Sequence, residues 1–330
     1  MSTIFEVLAQ LEKSKPLSVS GASIAKGLNV SRTAVWKAVE ELRLNGYEIE
    51  AVTNKGYRLV EGPDRIYAEG IRAGLASEYR GAKIFVLQSA GSTNDEAKLL
   101  AVNGAAHGTL IAAEEQTKGR GRFSRTFHSP PGTGLYMSVV LKPRLHLADA
   151  LHVTAAAALA VCRAVRELTG FSPAIKWVND IYLDGLKICG ILTEASSDSE
   201  SGEISSMVVG IGINLSARPG DFPPELRGAA GSIYPGGSSP VTRNALAASV
   251  YNELLRLCGE QGIAGSGIMR EYRALSCVIG KHIKYVRGTD SGEGVALDID
   301  DGGRLLVAKS DGIGGTIALN SGEVTINLQK

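Results

Sequence analysis

The residues richest in chemistry form one run, Glu114-Glu115-Gln116-Thr117-Lys118-Gly119-Arg120-Gly121-Arg122-Phe123-Ser124-Arg125-Thr126-Phe127. Glycines let backbone N–H groups approach an anion closely. Arginines supply planar forks that fit carboxylate or phosphate. Such runs also occur in RNA-binding tails, but here the run is a single loop that follows an apolar strand inside a folded region. Two further segments point to the same chemistry. Ser92-Thr93-Asn94-Asp95 opens a helix and offers hydroxyls and helix N–H groups to a small polar ligand, or serves as a plain cap. Lys176-Trp177-Val178-Asn179-Asp180 sets a lysine and a carboxylate around a tryptophan, and Lys187 enters the next strand among apolar neighbours. A strand lysine of that kind either faces solvent or meets an anion. No Ser-His-Asp or Cys-His arrangement is evident among the five histidines.

Elements able to hold these groups follow from the apolar periodicity. Strands are predicted over 84–87, 109–113, 135–141 and 207–213, and helices over 94–103, 148–169 and 244–258. That order gives a mixed α/β or α+β body from about residue 65 to 275. The tail holds short strands over 282–286, 293–299, 305–308, 315–319 and 323–328, separated by Gly-Asp-Ser turns. This is the pattern of a small β-barrel or sandwich.

The first 60 residues differ again. Ile4, Val7, Leu8 and Leu11 give a first helix that Pro16 stops, and Ser20 to Leu28 forms a short second one. Ser31 caps a third helix running to about Leu44, with Ala34, Val35, Ala38, Val39 and Leu42 on its apolar face. Two alternating runs around Thr53-Asn54-Lys55-Gly56 then make a hairpin. Together these elements read as a winged helix-turn-helix, joined to the body by the hinge Glu61-Gly62-Pro63-Asp64. The third helix is long enough to lie in a major groove. Ser31, Arg32, Thr33, Trp36 and Lys37 would face DNA, with Arg32, Thr33 and Lys37 reading base edges, while Lys55 and Arg58 in the wing reach phosphate. Eight Lys/Arg against six Asp/Glu in residues 1–60 leave a protein-interaction role open. The charges separate, however, with basic groups at the helix start and wing tip. Trp36 suits either a groove contact or packing against the hairpin.

Composition narrows the class. A chain of 330 residues, 44% hydrophobic and with net charge +1, suits two or three globular domains without polyelectrolyte character. No apolar run is long enough to span a bilayer and the N-terminus lacks a secretory pattern, so no membrane partner is expected and the cytoplasm is the expected location. Cys162, Cys189, Cys258 and Cys277 are scattered, as free thiols of a reducing compartment are.

Segments 89–94 (SAGSTN), 116–127, 176–180 (KWVND), 187–194 (KICGILTE) and 208–214 (VVGIGIN) occur in the order and spacing of the biotin–protein ligases. The chain resembles that family over essentially its whole length. Its head and tail resemble the bifunctional class that also represses biotin-synthesis genes. The resemblance implies an α+β protein with a winged helix-turn-helix over 1–62, a class II aminoacyl-tRNA synthetase-like ligase domain over 63–275 and an SH3-like β-barrel over 276–330. It implies that ATP and biotin, with Mg²⁺, form biotinyl-5′-AMP, and that biotin passes to a lysine of the biotin carboxyl carrier protein of acetyl-CoA carboxylase. Operator DNA is the other implied partner, bound by a homodimer with biotinyl-AMP as corepressor.

The resemblance also implies roles for residues. Ser92, Thr93, Asn94 and Gln116 would bind the biotin head, with Gly119 and Arg122 in the same pocket. Arg120, Arg122 and Lys187 would surround the biotin carboxylate and the α-phosphate and carry catalysis. Lys176 and Asp180 would serve the phosphate, Mg²⁺ and ribose side of the nucleotide, which Asn179 and Arg125 would also bind. Asn214 would hydrogen-bond adenine and Phe127 would stack on it. No residue set is expected to hold a metal by itself. Two departures stand out: the family loop ends in Trp where Phe127 stands, and a family glycine is replaced by Ser124.

Physical chemistry explains the need for these cations. Two unit charges ~4 Å apart repel by about 4 kcal/mol at an effective dielectric of ~20, roughly a thousandfold in rate. Arginine, lysine and Mg²⁺ offset that repulsion. The loop, like-charged and poor in apolar anchors, is expected to order only around ligand anions. Two alternatives stay open: a ligand-sensing transcription factor without catalysis, and a lipoate or octanoate ligase with a regulatory head.

Overall fold

Three helices and a hairpin make the N-terminal unit: α1 (Thr3–Ser14), α2 (Gly21–Leu28), α3 (Arg32–Leu44), and the antiparallel strands β1 (Glu48–Val52) and β2 (Gly56–Glu61). In this computed structural model residues 3–143, 145–146, 150–197, 204–259, 262–263, 267–310 and 315–326 are described. Ser20 and Ser31 cap α2 and α3, each side-chain oxygen accepting an N–H three residues on. Gly46, at φ +90°, lets the chain leave α3 through a conformation that a side chain would oppose. Val7, Leu8, Leu11, Ile24, Val35, Val39, Leu42, Ile49 and Leu59 form a core of their own.

The body begins with α4 (Ala68–Ala73), β3 (Ile84–Ala90), α5 (Thr93–Val102), β4 (Thr109–Gln116) and β5 (Gly134–Leu141). It continues through α6 (Ala150–Thr169), β6 (Ala174–Lys176), β7 (Asp180–Leu183), β8 (Leu186–Ser197) and β9 (Ile204–Asn214) to α7 (Arg243–Leu257). The strands make one seven-stranded sheet in the order β3-β4-β5-β9-β8-β7-β6, parallel only between β3 and β4. Both faces are covered. Leu110, Ala112, Leu135, Met137 and Val139 pack with α6 and α7, while Ile111 and Val140 pack with Ala97 of α5. The two-residue alternation of a strand sends these neighbours to opposite faces.

A short pair, β10 (Cys258–Gly259) and β11 (Gly262–Ile263), leads to α8 (Gly267–Ala274) and the tail. The tail holds β12 (His282–Arg287), β13 (Asp290–Ile299), β14 (Leu305–Lys309), β15 (Thr316–Leu319) and β16 (Glu323–Ile326) in an antiparallel sheet ordered β15-β14-β13-β12-β16. Trp177 Nε1 donates to the Gly303 carbonyl at 2.9 Å, so the tail is fastened directly to the segment before β7.

Head and body meet through buried polar groups. The linker's Asp64 carboxylate accepts from the Arg243 backbone N–H at 3.0 Å and pairs with its guanidinium at 3.3 Å. Arg243, 1% exposed, also reaches Glu114 of β4 at 2.8 Å. Tyr67 donates its hydroxyl to Glu12 of α1 at 2.6 Å and stacks on Phe5 at 5.1 Å. Burial raises the Glu12 and Asp64 carboxyls above the usual range, against the opposing pull of Tyr67 and Arg243 respectively.

The expected elements are present, with shifted bounds. β4 runs on to Gln116 rather than stopping at 113, and the expected helix start at 148 and strand end at 328 lie outside the described residues. α4 and α8 were not anticipated; α4 has only six residues, too few to declare a period.

Candidate active site

Strand and helix ends converge on one cavity of about 300 Å³. Ser92, Thr93 and Asn94 at the start of α5, Gln116 at the end of β4, and Arg120, Arg122, Arg125 and Phe127 from the loop line it. Lys176, Asn179 and Asp180 enter from the β6–β7 turn, and Lys187 from β8. Gly322, Glu323 and Val324 of the tail close one side. The cationic groups that sequence placed 67 positions apart, Arg120 and Lys187, therefore share one cavity with Arg122.

At the start of α5 the Thr93 backbone N–H donates to Gln116 Oε1 at 2.8 Å, and Gln116 Nε2 donates to Ser129 Oγ at 3.0 Å. Asn94 Nδ2 donates to Glu194 Oε2 at 2.8 Å and to the Leu192 carbonyl at 3.2 Å. Ser138, fully buried on β5, lies 2.7 Å from both Thr93 Oγ1 and Asn94 Oδ1. A Cβ at position 210 would stand 2.0 Å from Asn94 Oδ1, so glycine there makes room for this packing. Ser92 is buried and makes no side-chain cap, which leaves its hydroxyl to the cavity it lines.

Each cation of the site has a local partner. Arg120 pairs with Asp95 at 2.5 Å and Glu194 at 3.4 Å, and Lys187 Nζ pairs with Asp180 at 2.6 Å. Arg122 donates to Asn179 Oδ1 at 3.2 Å, and burial lowers its pKa while Asp180 opposes that shift. Arg125 grips Glu323 of the tail through two bonds, at 2.5 and 2.6 Å. Lys176 Nζ sits 5.4 Å from the Tyr182 ring centre. The loop closes on itself through Gly121 N–H to Arg125 O and Phe127 N–H to Gly119 O, with Phe123 and Ser124 in left-handed backbone at φ 54° and 58°. The substituted glycine position, Ser124, is thus one where glycine would carry less strain.

Several expectations are corrected. The loop is not a bare like-charged strip: its arginines are matched by Asp95, Glu194, Asn179 and Glu323. Phe127 gives it an apolar anchor, its ring lying so close to Gly212 that a Cβ there would meet it at 2.5 Å. Asn214, 8% exposed at the end of β9, donates its side-chain amide to the Gly231 carbonyl and holds that segment against the sheet. At Gly119 a Cβ would strike the Phe127 carbonyl, so glycine lets the loop close there. Ser138, Glu194 and Glu323 were missed. A serine inside an apolar run and an acid at the end of another signalled the first two; nothing near Glu323 signalled its partner across the chain.

On the head, Ser31, Arg32, Thr33, Trp36 and Lys37 form one exposed face and Lys55 the exposed wing tip. Trp36 is 52% exposed, so it does not pack into the hairpin. Arg58 is paired with Glu50 across the hairpin. Among the described residues no helix is long and apolar enough to cross a membrane, and no group of three or more His, Cys, Asp or Glu side chains is placed to hold a metal.

A helix-turn-helix head, a cation-lined body and a β-rich tail define a ligase that carries a DNA-binding module. Residues 86–214 match the biotin/lipoate A/B protein ligase family, 3–58 a helix-turn-helix domain, and 278–326 the biotin protein ligase C-terminal domain. The chain is 39% identical to the bifunctional ligase/repressor BirA of Bacillus subtilis over 89% of its own length and 90% of that protein's. Against the protein of that name from Escherichia coli the identity is 30%, over 92% and 94%. The biotin protein ligase of Aquifex aeolicus, solved with biotin and ATP, superposes with a TM-score of 0.61 at 26% identity, covering 74% of this chain and 98% of that one. The chain belongs to the biotin–protein ligase family, in its bifunctional ligase/repressor class.

Proposed function

We propose that this enzyme adenylates biotin with ATP, transfers it to a lysine of a biotin carboxyl carrier protein, and uses biotinyl-5′-AMP as corepressor on operator DNA. The observation that supports the reading most is the meeting of Arg120, Arg122 and Lys187 in one cavity beside the hydroxyl and amide cluster of Ser92, Thr93, Asn94 and Gln116. The cluster suits a compact polar head, and the cations suit two anions.

In the first step a biotin carboxylate oxygen bonds to the α-phosphorus while the bond to the β-phosphate bridge breaks and pyrophosphate leaves. Lys187 and Arg122 offset charge gathering on the phosphate oxygens, and Arg120 exchanges Asp95 for the incoming carboxylate. In the second step the acceptor amine attacks the mixed-anhydride carbonyl and AMP leaves. No enzyme nucleophile takes part. Of the two carboxylates lining the cavity among the described residues, Glu323 is held by Arg125 and Asp180 lies beside Lys187, a donor set that fits Mg²⁺ shared with substrate phosphates rather than a protein-built cage. When bound there, the ion would offset phosphate charge. Lys176, Asn179 and Arg125 face the nucleotide, and Phe127 offers it an aromatic wall.

We assign residues 1–62, 63–275 and 276–330 to three units, the body class II synthetase-like and the tail SH3-like. Ligand filling of the cavity promotes a two-fold dimer that sets two heads on a symmetric operator. Biotin-dependent exchange of labelled pyrophosphate into ATP tests the reading. Exchange with biotin but not lipoate is expected; none with either would overturn it. Gel filtration with biotin and ATP tests the dimer, and an unchanged monomer would count against it.

A further inference from the structure

The hydrogen bonds behind the α5 start have a direction that counting protons reveals. Asn94 Nδ2 faces the Glu194 carboxylate and the Leu192 carbonyl, neither of which has a proton to give at that contact. That fixes the amide orientation, so Asn94 Oδ1 can only accept. Ser138 lies 2.7 Å from Asn94 Oδ1 and 2.7 Å from Thr93 Oγ1 but has one proton. Asn94 must receive that proton. The Thr93–Ser138 contact then needs the proton of Thr93. Gln116 Oε1, 3.1 Å from Thr93 Oγ1, also accepts from the Thr93 backbone N–H, but giving it the hydroxyl proton would leave Thr93 and Ser138 oxygens 2.7 Å apart with no proton between them. Thr93 is left with lone pairs toward the cavity it lines.

We propose that Glu194 is a specificity-determining positioning residue: acting through Asn94 and Ser138, it turns the Thr93 hydroxyl inward so that Thr93 accepts a hydrogen bond from a ligand N–H. This rests on the reading of Thr93 as part of the biotin pocket. A cyclic urea supplies such an N–H, whereas a ring oxygen in its place would set lone pairs against lone pairs. A site built around one hydrogen bond rejects the analogue that lacks it strongly. Without Glu194 the Asn94 amide is held only by the longer contact to the Leu192 carbonyl, and turning over lets it donate to Ser138 instead. Ser138 then donates to Thr93, and the Thr93 proton is released to serve either ligand.

The test measures kcat/KM for biotin and for its two cyclic carbamate analogues, with KM for ATP alongside. In Glu194→Ala the KM for biotin should rise about tenfold while KM for ATP stays within twofold. The discrimination against the carbamate that faces Thr93 should fall about tenfold. Glu194→Gln, whose carbonyl can still accept from Asn94, should restore both. Ser138→Ala, a second break in the chain, should repeat the Glu194→Ala pattern. Thr93→Val separates the two claims. A wild-type biotin KM in Thr93→Val would overturn the pocket reading. A raised KM there, together with unchanged discrimination in Glu194→Ala and Ser138→Ala, would overturn this inference alone.

Discussion

On the head, Arg32, Lys37 and Lys55 are exposed, and among the described residues none makes an ion pair. In the body, Arg120, Arg125 and Lys187 each meet a carboxylate at 2.5–2.6 Å. The two surfaces address anions of different kinds. DNA is a long polyanion, and its binding gains from releasing counter-ions around freely solvated cations. A carboxylate and an α-phosphate are small, and bringing them together demands fixed geometry. Carboxylates that hold the arginines in place supply that geometry in advance. Their displacement is cheap, since exposed pairs such as Arg120–Asp95 are worth only about 0–1 kcal/mol. The same partners discourage stray anions. Arg243 at the joint is a third case, a buried cation held permanently between Asp64 and Glu114.

The contrast can be broken in order of expected effect. Arg243→Met leaves two carboxylates without their cation and should destabilise the protein by about 3–5 kcal/mol in urea unfolding; a change under about 1 kcal/mol would mean the joint is not a structural ion cluster. Lys187→Ala should lower pyrophosphate exchange by about 10²–10³-fold with folding intact by circular dichroism, and wild-type turnover would remove Lys187 from the chemistry. Arg32→Ala should weaken operator binding by about 1–3 kcal/mol and leave ligation unchanged; equal loss at a scrambled site would show phosphate contact rather than base reading. Lys55→Ala should reduce the salt slope of DNA binding by about one, whereas an unchanged slope would take the wing tip off the phosphates.

The smallest effect is one of pH. Burial raises the Glu12 carboxyl in the folded protein. Protonated Glu12 therefore contributes stability below the ordinary carboxylate pKa, and that contribution is lost as pH rises through the elevated folded value. Glu12→Gln should flatten the fall in melting temperature as pH rises above the ordinary carboxylate range. An unaltered slope would place the pH dependence elsewhere.

Much of this molecule was legible before its coordinates. Ser31 capping α3, the hairpin around Asn54-Gly56 and the period of α6 are local signals, and local physics decides them. The lining of the cavity was legible once the resemblance to the ligases tied the glycine-arginine loop and the strand lysine to two shared anions. The counter-charges were not. Asp95 and Glu194 lie 99 positions apart and meet on Arg120 only because α5 packs on β9 next to β8. Arg125 and Glu323 join across 198 positions. The bond from the Asn214 amide to the Gly231 carbonyl was not legible either, because a strand-end asparagine carries no mark of a backbone partner 17 positions away.

A crystal structure with biotin and a non-hydrolysable ATP analogue tests the central claim most directly. Arg120 should have left Asp95 and Glu194, and Arg120, Arg122 and Lys187 should lie within hydrogen-bonding distance of the biotin carboxylate or the α-phosphate. Ligands seated elsewhere, with the Arg120–Asp95 and Lys187–Asp180 pairs unchanged, would contradict it.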